Sequence, residues 1–150
     1  MESPPHALVI PFPAQGHVIP LMHLSHYLID AGFQITFVNS EFNHARLVMA
    51  AAGGAHHAHA NMRMAAIPDG MPLDHERKNV GELSDSFLRA MPGGLEKLIS
   101  EINEEAGNNS AGGKITCLIA DGFVARALKV AVKMASGLLP FGRRRWNFGD

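Results

Sequence analysis

The sequence has a single cysteine, Cys117, among its 150 residues, which rules out an intrachain disulfide and fits a reducing compartment. Its neighbours in ITCLIA are apolar, so a small buried hydrophobe is preferred to a reactive thiol. An excess of either charge is also lacking. The 13 Lys and Arg are interspersed with 14 Asp and Glu, net −1, leaving no electrostatic footprint for nucleic acid or an anionic membrane. No run reaches the roughly 18 apolar residues of a membrane span, and the opening MESPPHALVI has neither a basic n-region nor a long apolar stretch. The cytosol is therefore the default location, and binding has to come from a shaped site. Internal repeats and interdomain linkers are missing too.

What is present is core material. With 47% hydrophobic and 18% charged residues, the chain reads as one soluble globular domain rather than a disordered or fibrous one. Four short apolar runs, Ala7 to Ile10, Gln34 to Val38, Met62 to Ile67 and Ile115 to Ala120, alternate with longer amphipathic segments. That alternation predicts βαβ units: an α/β fold with a Rossmann-like parallel sheet flanked by helices.

Val18, Leu21, Met22, Leu28 and Ile29 recur on one helical face, with Pro20 in the first turns and Gly32 as a C′ residue. On the other side, His23, His26 and Asp30 are read as a solvated face in preference to a metal site. Glu41 to Ala52 reads as a second helix. His56, His57 and His59 in the following loop match no closed zinc spacing, so a surface loop is preferred to metal binding. Asn79 to Ala106 is helical by period, with Val80, Leu83, Phe87, Leu88, Met91, Leu95, Leu98, Ile99 and Ile102 as its apolar face. Asn79 and Glu82 form a capping-box variant, and Pro92-Gly93-Gly94 is expected to kink or interrupt the helix. Gly107 to Gly113 reads as a polar loop.

The first turn, PFPAQGHVIP, carries one glycine where a dinucleotide fingerprint needs three, so a phosphate cradle is poorly supported. Topology offers another use for it. In a doubly wound sheet of order 3-2-1-4, His17 after strand 1 and Asp121 after strand 4 meet at the switch point, on strands about 4.8 Å apart. A carboxylate that accepts Nδ1–H fixes the imidazole tautomer and frees Nε2 as a base, and imidazole titrating near ~6.5 suits proton abstraction at neutral pH. A plainer reading stands beside it: Asp121 as N-cap of the helix Gly122 to Met134, worth about 1 kcal/mol, with His17 merely near a helix N-terminus.

PFPAQGHVIPLMHLSHYLIDAGFQITFVNSEFNHARL, MRMAAIPDGMP, MPGGLEKLI and CLIADGFVARALKVAVKM, in that order from about Pro5 to Met134, resemble the plant UDP-dependent glycosyltransferases of family 1. The resemblance implies part of the N-terminal domain of a GT-B fold, the domain that mainly holds a small lipophilic acceptor. It implies His17 as the general base toward the acceptor hydroxyl and Asp121 as the residue orienting it. It further implies inverting hexosyl transfer from a UDP-sugar, UDP-glucose by preference, with no metal and no other cofactor. Phe12, Gly16, Met71 and Phe123 are candidate acceptor neighbours by position, and each aromatic or methionine serves equally as core.

The chain departs from the family pattern after Met134, where ASGLLPFGRRRWNFGD follows instead of a further strand and a donor-binding domain. Residues 1–134 are expected to form the acceptor-side domain and 135–150 a divergent, disordered tail. Arg143-Arg144-Arg145 is read as solvated in preference to a nucleic-acid or import signal. The expectation is a truncated form, from an altered frame, a retained intron or a gene model cut short, with strand 4 left as an edge and almost no affinity for the donor. Two functions follow: a glycosyltransferase whose donor half comes with a longer product, or a non-catalytic fragment that binds small lipophilic molecules and associates with full-length relatives. A different nucleotide-binding Rossmann protein is disfavoured by the missing glycines.

Overall fold

Each apolar run forms a parallel strand and each amphipathic segment a helix that covers the sheet. The computed structural model describes residues 4–51, 60–108 and 113–134. The elements are β1 (His6–Ile10), α1 (Gln15–Asp30), β2 (Gln34–Ser40), α2 (Glu41–Ala51), β3 (Met62–Ile67), α3 (Val80–Gly107), β4 (Cys117–Ala120) and α4 (Gly122–Met134). The loop with His56, His57 and His59, and the tail 135–150, lie outside the described residues.

The sheet has the order β3-β2-β1-β4, all parallel. Strand alternation sends β1 side chains to opposite faces. Ala7 and Val9, with Ile35 and Phe37 of β2, pack under α1 through Ile29, Val18, Leu21 and Met22. Leu8 and Ile10, with Val38 and Ile67, pack under α3 and α4. β1 is buried along its whole length, whereas the four residues of β4 are half-buried. β4 pairs only with β1 among the described residues.

The helix ends follow their residue chemistry. Gly32 has φ +97, its N–H donates to the Ile29 carbonyl (2.9 Å) and the Phe33 N–H to that of Leu28 (2.9 Å), which closes α1 in a Schellman motif. Since α1 starts at Gln15, Pro20 falls in its second turn and supplies no N–H to the Gly16 carbonyl. At the start of α3 only half the capping box forms. The Asn79 side chain accepts from the Glu82 N–H (3.1 Å), but the Glu82 carboxylate turns to His75 Nε2 (2.9 Å).

Three expectations are corrected. α3 runs through Pro92-Gly93-Gly94 without interruption. Buried Met91 and Leu95 flank the triplet, and a Cβ on Gly94 would stand 3.2 Å from Ile67 Cβ, so this glycine lets the helix approach the end of β3. Val80 is 63% exposed and lies off the packed face. β4 begins at Cys117, because Thr116 is taken up by β1: its N–H donates to the His6 carbonyl (2.9 Å), and its Oγ1 accepts from the His6 N–H (2.9 Å). Cys117 is half-buried, and burial pushes its thiol pKa up.

The segment between β3 and α3 has no regular structure, yet it is tightly organised. Asp69 and Arg77 form a buried bidentate pair (3.1 and 3.2 Å). The Arg77 guanidinium also donates to the carbonyls of Pro72 (2.6 Å), Met71 (3.3 Å) and His75. Gly70 has φ +82, and a Cβ there would lie 2.6 Å from Ser86 Oγ and 3.0 Å from the Ser86 carbonyl. Gly70→Ala is therefore expected to cost about 1–3 kcal/mol through strain and clash together. Urea unfolding of the two proteins measures it, and equal midpoints would contradict this placement.

Candidate active site

In the β1–β4 register Ile10 stands opposite Ala120, so both chains leave the sheet side by side at its C-terminal edge. β1 continues into Pro11-Phe12-Pro13-Ala14, and β4 into Asp121. The Asp121 carboxylate accepts four hydrogen bonds there. Oδ1 takes the N–H groups of Phe123 (3.0 Å) and Val124 (3.0 Å), capping α4, while Oδ2 takes the Phe12 N–H (2.6 Å) and faces His17 Nδ1 (3.2 Å). Cap and histidine partner are thus the same carboxylate.

His17 is the third residue of α1, with its side chain 45% exposed against 16% for Asp121. A carboxylate only accepts, so the shared proton sits on Nδ1, and in the neutral ring this leaves the lone pair on Nε2. Nε2 has no partner among the described residues. Phe12 meets His17 edge-on (centroids 5.4 Å) and also contacts Phe123 (5.1 Å) and Phe87 (5.7 Å). The arrangement sets a half-exposed imidazole, held at Nδ1, beside an aromatic wall.

Of the residues expected near an acceptor, Phe12 and Phe123 adjoin this pair. Gly16 precedes His17, and open space lies where its Cβ would be, so the fold itself does not require glycine there. Met71 is placed apart: it lines a shallow pocket with Pro72, His75 and Arg89. A cavity of about 470 Å³ opens on the β2 side of Phe12, lined by Val18, Asn39, Phe42, Arg46, Arg77 and Leu83 among others. Sequence reasoning passed over Asn39, Arg46 and Arg77. The available signal was the polar pair Asn39-Ser40 at the C-terminal end of β2, the edge where such sheets bind ligands.

A second cavity, about 260 Å³, lies at the opposite edge beside His6, Thr36, Arg63 and Glu105. The Arg63 guanidinium (2.7 Å) holds the Glu105 carboxyl below its ordinary pKa. His6 is buried with both ring nitrogens engaged, by the Gly113 carbonyl (2.6 Å) and Thr36 Oγ1 (2.7 Å). His23, His26 and Asp30 are exposed, and no group of three metal-ligating side chains forms among the described residues. No helix among those residues is long and apolar enough to cross a membrane.

No protein-family model matches the chain. Individual relatives do. UDP-glycosyltransferase 83A1 of Arabidopsis thaliana is 42% identical over 147 residues, covering 96% of this chain. (R)-mandelonitrile beta-glucosyltransferase of Prunus dulcis is 36% identical over 87% of it, and Linamarin synthase 1 of Manihot esculenta 38% over the same share. The chain belongs to the plant UDP-glycosyltransferases. It spans 30% of the Arabidopsis relative's length and 26% of the other two.

Solved glycosyltransferases share the fold. Os79 from O. sativa, in complex with U2F and trichothecene, superposes with a TM-score of 0.59 at 23% identity, over 87% of this chain and 27% of that one. Arabidopsis thaliana UGT89C1 with UDP-L-rhamnose gives 0.55 at 17% identity, over 90% and 35%. The four-stranded sheet thus matches one portion of the GT-B architecture of those proteins.

If one carboxylate joins β1, α1 and α4, removing it has to be felt in stability as well as chemistry. Asp121→Ala loses the cap of α4 and leaves the Phe12 N–H unpaired, an expected cost of about 2 kcal/mol or more. Gly16→Ala meets no atom and is expected to stay within about 1 kcal/mol of the parent. Chemical denaturation of the three proteins side by side checks both.

Proposed function

We propose that this chain is the acceptor-binding side of a UDP-sugar-dependent glycosyltransferase and that His17 is its general base. The observation that supports this most directly is His17 Nδ1 lying 3.2 Å from an Asp121 carboxylate that three backbone N–H groups already hold in place. Nε2 takes the proton from the acceptor hydroxyl as that oxygen forms its bond to the anomeric carbon. The bond from that carbon to the diphosphate breaks, UDP leaves with the electron pair, and the configuration inverts. Asp121 holds the neutral ring in the Nδ1–H tautomer, which leaves Nε2 as the base, and stabilises the imidazolium that results.

The acceptor is read as a small lipophilic alcohol, phenol or acid, and the donor as UDP-glucose. Os79 and UGT89C1 have been solved with trichothecene and with quercetin, respectively, which supports an acceptor of that size. In a longer product that carries the donor-binding half, His17→Ala is expected to lower kcat by about 10²–10⁴-fold. Full activity in that variant would refute the mechanism.

A second reading concerns the 150 residues taken alone. The cavity and the base lie within them, but no donor-binding motif does, so the chain by itself is a small-molecule binder that transfers no sugar. Calorimetry with UDP-glucose is expected to give no measurable heat, and micromolar binding would overturn this reading.

A further inference from the structure

Asn39 is 3% exposed, and neither atom of its side-chain amide has a hydrogen-bond partner, though it lines the 470 Å³ cavity. Buried amides are ordinarily satisfied, so one left unpaired at both atoms against a cavity marks where a ligand's polar group belongs. The rest of the lining says which group. Phe12, Val18, Phe42, Val80 and Leu83 supply apolar walls, and no acidic residue contributes. Arg77 has its charge met by Asp69, and the Asn43 amide is spent on the Pro13 carbonyl (3.3 Å). Arg46, one turn along α2 from Phe42, is exposed and makes no ion pair among the described residues; its guanidinium carbon stands 5.7 Å from the centre of the Phe42 ring.

We propose that Asn39 and Arg46 recognise a carboxylate on the acceptor, remote from the hydroxyl that receives the sugar. The preferred acceptor is then a hydroxy acid with an aromatic or similarly flat apolar body. The amide N–H₂ and the guanidinium donate to the carboxylate, and Phe42 and Phe12 hold the body. Phe12 is shared by this cavity and the His17 ring, so the anionic end points away from the reacting end. The inference rests on the acceptor-side reading above and adds the substrate class.

Binding needs no sugar donor, so it is tested on the 150-residue chain itself, by calorimetry with 4-hydroxycinnamate, its methyl ester and 4-hydroxycinnamyl alcohol. Charge-assisted hydrogen bonds predict that the acid binds about tenfold or more tighter than the ester or the alcohol. Arg46→Gln is expected to bring the acid down to the level of the ester and leave the ester unchanged. Asn39→Leu is expected to weaken the acid by about tenfold while the melting temperature holds or rises, because an unpartnered amide contributes nothing that leucine loses. Equal binding of acid and ester, or a preference that survives both substitutions, would sink the carboxylate proposal and leave the His17 reading intact. A lowered melting temperature in Asn39→Leu would make the amide structural and would likewise overturn it. Transfer lost in His17→Ala is a separate outcome and bears on the base alone.

Discussion

The Asp121 carboxylate is the point on which the C-terminal edge of the sheet depends. Two parallel strands in register release their chains together, and each brings backbone N–H groups that no strand partner can satisfy. One carboxylate gathers the N–H of Phe12 from the β1 exit and those of Phe123 and Val124 from the first turn of α4. With three bonds fixing the carboxylate, the fourth contact, to His17, becomes a matter of geometry rather than chance. The plain role of a helix cap and the chemical role of a histidine partner therefore do not compete. The cap is what makes the partner rigid.

The second fixed point is Arg77, which plays for the β3–α3 segment the part that Asp121 plays for the sheet edge. A buried guanidinium is costly unless its donors are used, and here they go to the Asp69 carboxylate and three carbonyls while its face covers the Phe42 ring at 4.2 Å. An irregular segment is held as a wall of the cavity by one side chain. The same stack orients Phe42, and with it the first turn of α2. The cavity next to Phe12 thus takes its walls from α1, α2, the start of α3 and two loops, with a cation at its rim and an unpaired amide at its foot.

The strands and helices were legible because burial imposes periodicity, and an assumed 3-2-1-4 strand order brought His17 and Asp121 to one edge of the sheet, with Asp121 as a plain helix cap standing as the alternative. Other features were not legible. Pro92-Gly93-Gly94 reads as a break by local propensity, yet Met91 and Leu95 are anchored in the core and Gly94 is needed against Ile67. Packing outweighed the lost hydrogen bond. Glu82 is spaced to complete a capping box, but His75, brought close by the Arg77 segment, takes its carboxylate. The place of Asn39 at the C-terminal end of β2 was legible, but that its amide is unpaired was not, because that depends on which surrounding elements supply a partner.

What the sequence by itself determined was the alternation of strand and helix, the caps at Gly32, Asn79 and Asp121, and the candidate base, because each follows from residue type at short range. Tertiary structure alone decided which side chains share the Asp121 carboxylate, which arginine is spent on Asp69 and which is left facing the cavity, and that the Asn39 amide stays unpaired. The physical reason is that hydrogen-bond partners separated by tens to a hundred residues, 104 between His17 and Asp121, are chosen by packing the sheet and not by local propensity.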